Sequence, residues 1–306
     1  MTGAGSPATG ASLEEQRSLL RQVLSWLDQP PRHLVPGAWS GHLGFANAIV
    51  GLARPARVVE LGVNRGGSFL ALCDACARHG VAAEVVGVDT WAHDARTGKD
   101  ERGALYEELR ELLAREWPFA RLVRADFDTA RGGVPDASVD LLHIDGCHTY
   151  EAVANDFARW RSALSPRGIC LFHDIVVRER GFGVHQLWGE LRDRWPSIEF
   201  GHSSGLGVLF VGAEQPETVR AFLALWNSSP LAQEGVTTAA ELLSATFPAR
   251  LRAEETRRRA ERLRRRVEEM TTRCHAAEAR LEAVKRSRTW RWSAPLRGLL
   301  GRSGGR

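Results

Sequence analysis

No apolar run in this 306-residue chain approaches membrane-spanning length, so no segment reads as a transmembrane helix. The five cysteines form no disulfide framework. Cys73 and Cys76 make a CxxC, but it lies inside Phe69–Ala77, a stretch that reads as helix. No second Cys or His pair stands at zinc spacing, so both read as small buried residues rather than redox or metal groups. An odd cysteine count with this spacing fits a reducing cytoplasm. Residues 1–12 are small and polar, lack the apolar core of a secretory leader and are expected to be disordered.

The composition is that of a soluble globular protein, with 43% hydrophobic and 25% charged residues. The net charge of +4 conceals an asymmetry. Residues 249–306 hold 18 Lys+Arg against 7 Asp+Glu, whereas the preceding 248 residues hold 23 against 30. An acidic body therefore carries a basic tail.

Residues Leu13–Leu27 carry an apolar stripe at helical spacing, stopped by Pro30-Pro31, and a second helical segment is expected near His42–Leu52. Strands are predicted at Arg57–Leu61, Glu84–Val88, Ala120–Ala125, Val139–Ile144 and Gly168–His173. Helices are predicted at Ser68–His79, Ala104–Glu116 and Tyr150–Leu164. Such alternation implies an α/β fold, a parallel sheet covered by helices on both faces. Ser197–Gly201 and Leu206–Val211, joined at Ser203-Ser204-Gly205, read as an antiparallel hairpin added to that sheet, and residues 216–247 as a helix or two.

From Ala249 the pattern changes. Apolar or small residues recur from Ala253 to Val284 at spacings alternating three and four, the heptad signature of a coiled coil and hence of a homo-oligomer. A single charged helix packed on the body is the alternative. The closing stretch, Ser287–Leu300, interleaves tryptophan with arginine, which suits either peripheral contact with an anionic membrane or docking on another protein. Interspersed acids and heptad spacing, outside any recognisable nucleic-acid-binding fold, argue against nucleic acid as the partner.

Several strand ends carry chemistry. Glu60-Leu-Gly-Val-Asn-Arg-Gly-Gly-Ser68 places glycines at a strand-to-helix turn, where backbone can approach a ligand closely and the helix start offers free N–H groups. Its glycine spacing is not the dinucleotide fingerprint. Asp89 ends the second strand, where an acid suits ribose hydroxyls, or else caps the next helix. Asp126-Phe127 follows the third strand and can flank an adenine ring. His143-Ile-Asp-Gly-Cys-His-Thr-Tyr150 and His173-Asp174 close the fourth and fifth strands, at the sheet edge where ligands of open α/β sheets bind.

In this order the motifs resemble a class I S-adenosylmethionine-dependent methyltransferase over about residues 57–212. The resemblance implies a Rossmann-like, seven-stranded, mostly parallel sheet with its last strand antiparallel. It also implies S-adenosylmethionine as cofactor, held by Glu60, Gly62, Asn64, Gly66, Ser68, Asp89, Asp126 and Phe127. Within the class, residues 143–150, Asp156, Trp160, Leu164–Gly168 and Leu171–Asp174 resemble a bacterial subgroup that O-methylates glycans and macrolide sugars, some of it magnesium-dependent. That implies a sugar or glycan acceptor, with His148 of Asp145-Gly-Cys-His148 as general base.

Elementary chemistry agrees that a sugar hydroxyl, a poor acid, needs a base, a metal or both. Asp145 and Asp174 end neighbouring strands and can hold a hard divalent ion, with His173 as a further ligand. Two departures bear on the metal. His173-Asp174 stands where magnesium-binding relatives commonly have two acids, and Cys147 where some have an acid. Mg²⁺, a borderline ion such as Mn²⁺ and no metal all stay open. The polar segment 91–103, with His93 and Asp94, is a candidate lid or a plain solvated loop, and Arg178–His185 is expected to border the acceptor.

The expected organisation is thus a disordered 1–12, an N-terminal helical segment 13–56, a methyltransferase domain 57–212, a helical linker 213–248, a coiled coil 249–286 and a basic tail 287–306. The expected location is the cytoplasm or the inner face of its membrane. The rival of another class is a noncatalytic coiled-coil adaptor built on a degenerate methyltransferase body.

Overall fold

Ser12 fixes the start of the first helix. Its hydroxyl accepts from Glu15 N at 3.3 Å, while the Glu15 carboxylate accepts from Ser12 N at 2.7 Å, satisfying donors that a helix start otherwise leaves free. In the computed structural model, which describes residues 12–92, 101–179 and 181–286, this helix is α1 (Leu13–Leu27). A 3-10 turn at Ala38–His42 leads into α2 (Leu43–Ala53), buried along its whole length.

Strands and helices then alternate: β1 (Arg57–Leu61), α3 (Gly67–Arg78), β2 (Glu84–Asp89), α4 (Glu101–Glu116), β3 (Ala120–Arg124), α5 (Phe127–Arg131), β4 (Val139–Ile144), α6 (Tyr150–Trp160), β5 (Leu164–His173), α7 (Val184–Leu191), β6 (Ser197–Phe200), β7 (Leu206–Phe210), α8 (Glu217–Ser228) and α9 (Pro230–Arg286). The strands form one sheet in the order β3-β2-β1-β4-β5-β7-β6. β1 to β5 run parallel, and β7 is antiparallel to both its neighbours. The fold is therefore a Rossmann-like, seven-stranded, mostly parallel α/β sheet. The chain winds outward from β1 to β3 and returns to lay β4 on the other side of β1. That reversal opens a crevice at the carboxyl ends of β1 and β4.

Apolar residues fill both faces, as a sheet covered on both sides requires. Val58, Val85, Leu141 and Ile169 face a core built with α2, α3 and α8. Val59, Val86, Leu142 and Cys170 face one built with α6 and α7. Cys73 and Cys76 lie buried in α3, where burial pushes both thiols up, Cys76 to about 12, so neither is a ready nucleophile.

Three elements differ from the sequence expectation. β5 begins at Leu164, because the helix before it stops at Trp160 and Pro166 cannot continue it. α5 has only five residues, too few to show a period. α7 does carry one, in Val184, Leu187, Trp188 and Leu191, all buried. Residues Met1–Pro248 and Ala249–Arg306 form two separate compact units. Residues 1–11, 93–100 (with His93 and Asp94) and 287–306 lie outside the described residues, so the expectations placed on them find no counterpart here. No helix among the described residues is long and apolar enough to cross a membrane.

Asp156, buried on α6, is pushed up to about 6 by its burial and then by Asp128. Unfolded, it titrates near 3.8, so the folded state prefers the proton. That preference is fully present below the unfolded value and is lost as pH rises through 6. Asp156→Asn should therefore stabilise the protein at pH 8 by up to about 3 kcal/mol and far less at pH 4. Urea unfolding at the two pH values checks this, and an equal gain at both would contradict it.

Candidate active site

The crevice at the switch point holds a cavity of about 550 Å³, within the range of small-molecule sites. Its first wall is the turn after β1. Gly62 has φ 97°, and a side chain there would run into the Asp145 carbonyl, so the β1 turn and the end of β4 touch backbone to backbone. Asn64 N donates to Asp89 Oδ2 at 2.8 Å and Trp91 N to Asp89 Oδ1 at 3.0 Å. The Trp91 indole donates in turn to Asn64 O at 3.1 Å. Asp89 thereby joins the glycine turn to the end of β2, and it lines the cavity. Trp91 is buried, so the segment expected as a lid is anchored at its first residue.

Beneath this wall runs a buried polar chain. Trp39 Nε1 donates to His143 Nε2 at 3.1 Å, which places the ring proton of a neutral His143 on Nδ1, 3.3 Å from Glu60 Oε2. Ser68 Oγ donates to Glu60 Oε1 at 2.6 Å. Burial pushes the Glu60 carboxyl up, against the opposing influence of His143 and Ser68. Glu60 and Gly66 do not line the cavity. Glu60 holds Ser68, which does, and Gly66, at φ 84°, sets the start of α3.

The ends of β4 and β5 carry the acids. Asp145, His148 and Asp174 each present a ligand atom within 4.8 Å of the other two. His148 Nδ1 lies 3.4 Å from Asp174 Oδ2, and the His148 ring stacks on Phe182 at 4.4 Å between centroids. Asp174 sits at φ 64°, a region an aspartate tolerates, with its N–H bonded to Gly205 O at 3.0 Å. Burial opposes charge on both Asp145 and His173, but their mutual contact prevails. His173 holds Asp145 below the usual carboxylate range, and Asp145 and Asp174 raise His173 to about 10.

That pairing bears on the expected metal ligands. His173 lies beside that cluster: its Nε2 donates to Ser203 O at 3.1 Å and its Nδ1 lies 3.3 Å from Asp145 Oδ1 and 3.5 Å from Asp174 Oδ1. His148 supplies the imidazole of the cluster itself.

Asp126 and Phe127 line the cavity at the end of β3. Asp126 also caps α5, accepting from Thr129 N and Oγ1, both at 2.8 Å, and these bonds hold its carboxyl below the ordinary range. Phe127 packs where a side chain at Gly146 would have to go. Gly62, Asn64, Ser68, Asp89, Asp145 and His148, all read from the sequence, thus meet around one space. Sequence reasoning missed Trp39 and the Val35–Ala38 segment, which close one side. Pro36-Gly37 is a turn-type dipeptide, but nothing in the sequence ties it to the strand ends. Phe182 lay within the loop expected to border the acceptor without being singled out.

Residues 59–175 match a family model described as a methyltransferase domain. Over 191 residues, 62% of its length, the chain is 42% identical to an uncharacterised protein of Sinorhizobium fredii (strain NBRC 101917 / NGR234). It spans only 21% of that curated relative. Among solved structures, it is similar to a SAH-bound methyltransferase from Podospora anserina, with 14% identity and a TM-score of 0.43 over 66% of this chain and 89% of that one. It is also similar to an O-methyltransferase from Bacillus cereus in complex with SAH, with 14% identity and a TM-score of 0.40 over 63% and 90%.

Proposed function

We propose that this domain is an S-adenosylmethionine-dependent O-methyltransferase whose acceptor is a hydroxyl of a sugar or glycan. The observation that carries the reading is one cavity with a glycine turn and Asp89 on one wall and the Asp145, His148 and Asp174 cluster on the other. The first wall suits the cofactor: Gly62 lets the turn approach the end of β4 closely, and Asp89 lines the cavity with a carboxylate that suits ribose hydroxyls. Bound S-adenosylmethionine would supply a methyl group on a cationic sulfur that departs as a neutral thioether. The chain's own task is then to hold a hydroxyl in line and take its proton. With His148 Nδ1 facing Asp174 Oδ2, the ring is oriented by a carboxylate and Nε2 is left to accept that proton. Phe182, stacked on the ring, limits its rotation.

The same three residues suit a divalent ion, and an imidazole among two carboxylates favours Mn²⁺ over the all-oxygen preference of Mg²⁺. Such an ion would lower the pKa of a bound hydroxyl. The sugar assignment rests on the motif resemblance and on the need of so weak an acid for this machinery. A noncatalytic adaptor is not favoured, because a degenerate body has no reason to keep both walls intact.

Calorimetry of S-adenosylmethionine and S-adenosylhomocysteine against the whole chain tests the reading. Binding is expected, and Asp89→Ala should weaken it by roughly 10–100-fold, the worth of hydrogen bonds to a charged group. A folded chain that binds neither compound would favour the adaptor. Labelled methyl transfer to phenols but not to glycans would retain the cofactor and remove the sugar.

A further inference from the structure

From Arg252 to Arg286 the described side chains of α9 are exposed, including Leu263, Val267, Met270 and Leu281, each 52–61% exposed. The heptad register assigns position a to Ala253, Ala260, Val267, Cys274 and Leu281, and position d to Thr256, Leu263, Met270, Ala277 and Val284. The positions flanking this seam decide what can lie against it. Position g is arginine in every heptad: Arg252, Arg259, Arg266, Arg273 and Arg280. Position e is Arg257, Arg264, Thr271, Glu278 and Lys285. Glu255, Glu261, Glu268, Glu269 and Glu282 occupy b and c, away from the seam.

A second copy is a poor occupant. In a parallel pair, g of one helix meets e of the next heptad on the other. Arg252 would then meet Arg257, Arg259 would meet Arg264 and Arg280 would meet Lys285, and only Arg273 would find an acid, Glu278. In an antiparallel pair g meets g, arginine against arginine throughout. Like charges so placed oppose association.

A membrane surface is also a poor fit. A strict seven-residue repeat drifts about 20° per heptad around a straight helix, so over five heptads the stripe turns away from any plane. The seam is also narrow and rich in alanine, with no aromatic anchor. A supercoiled partner helix follows that drift. We propose that residues 252–285 form a coiled coil with an acidic heptad helix of a different polypeptide, apolar at a and d and carrying glutamate or aspartate at e and g. The self-association expected from heptad spacing alone gives way to a heterotypic interface chosen by charge.

The test uses the full-length chain and a synthetic five-heptad helix with Ile at a, Leu at d and Glu at every e and g. A matching helix with Lys at e and g, phosphatidylglycerol vesicles and a DNA duplex serve as controls. The chain should bind the Glu helix with strong salt dependence and leave the Lys helix unbound. The triple variant R252E/R259E/R280E should bind the Glu helix roughly tenfold or more weakly. The same variant should gain self-association in analytical ultracentrifugation, because those substitutions turn each repulsive parallel pair into an attractive one while Arg273 keeps Glu278. Equal binding of both helices, an indifferent triple variant, or capture by vesicles or DNA in preference to the Glu helix would overturn the proposal. So would a wild-type chain whose self-association the triple substitution abolishes.

Discussion

Replacing His148 with alanine is expected to slow methyl transfer by roughly 10²–10⁴-fold while leaving S-adenosylhomocysteine affinity nearly unchanged. The expectation follows from position. His148 stands with Asp145 and Asp174 at the ends of β4 and β5, apart from Asp89 at the end of β2, so its removal takes away the proposed proton acceptor and leaves the Asp89 carboxylate in place. It also leaves Asp174 Oδ2 without the ring that faces it at 3.4 Å, although His173 still lies against Oδ1 at 3.5 Å. Steady-state rates beside calorimetry on the same variant check the split. Partial rescue by added imidazole would identify a missing base, which a collapsed loop would not allow. A loss of cofactor affinity as large as the loss of rate would refute the assignment.

Gly62→Ala is expected to cost about 2–5 kcal/mol of stability and to abolish cofactor binding. Two penalties combine. The backbone at φ 97° is strained for any residue with a side chain, and the added carbon meets the Asp145 carbonyl, which is main chain and cannot rotate away. The β1 turn and the end of β4 must then separate, and both walls of the cavity move. Thermal unfolding and cofactor titration check it, with Gly80→Ala as control. Gly80 has a positive φ too, at 57°, but nothing lies near its missing side chain. If the two variants lose equal stability, the close approach is not what constrains Gly62.

The sheet was legible because buried parallel strands are short apolar runs, and those that matter here end in Glu60, Asp89, Asp145 and Asp174, acids that apolar packing does not explain. The site was legible for the same reason. What escaped depends on long separations. Trp39 reaches His143 across 104 residues, and no local pattern in Val35–Trp39 reveals that partner. The role of His173 escaped for an electrostatic reason. As sequence it is one more ligand-type residue beside an acid, and only the carbonyl of Ser203, thirty residues on, shows that its second nitrogen is committed. The charge rows of α9 were present in the sequence throughout, but an apolar repeat alone says that a helix has a partner and not which one.

The place of β7 in the sheet has a practical consequence. It lies between β5 and β6, although both precede it in the chain. A fragment cut to residues 59–175, the span of the methyltransferase match, would lose β6 and β7 together and leave β5, from Leu164 to His173, as a bare edge ready to pair with another molecule. It would also lose Trp39 and the carbonyl that holds His173. The matched span therefore marks a recognition signature, and the smallest piece fit for expression must reach back past Val35 and forward past Phe210.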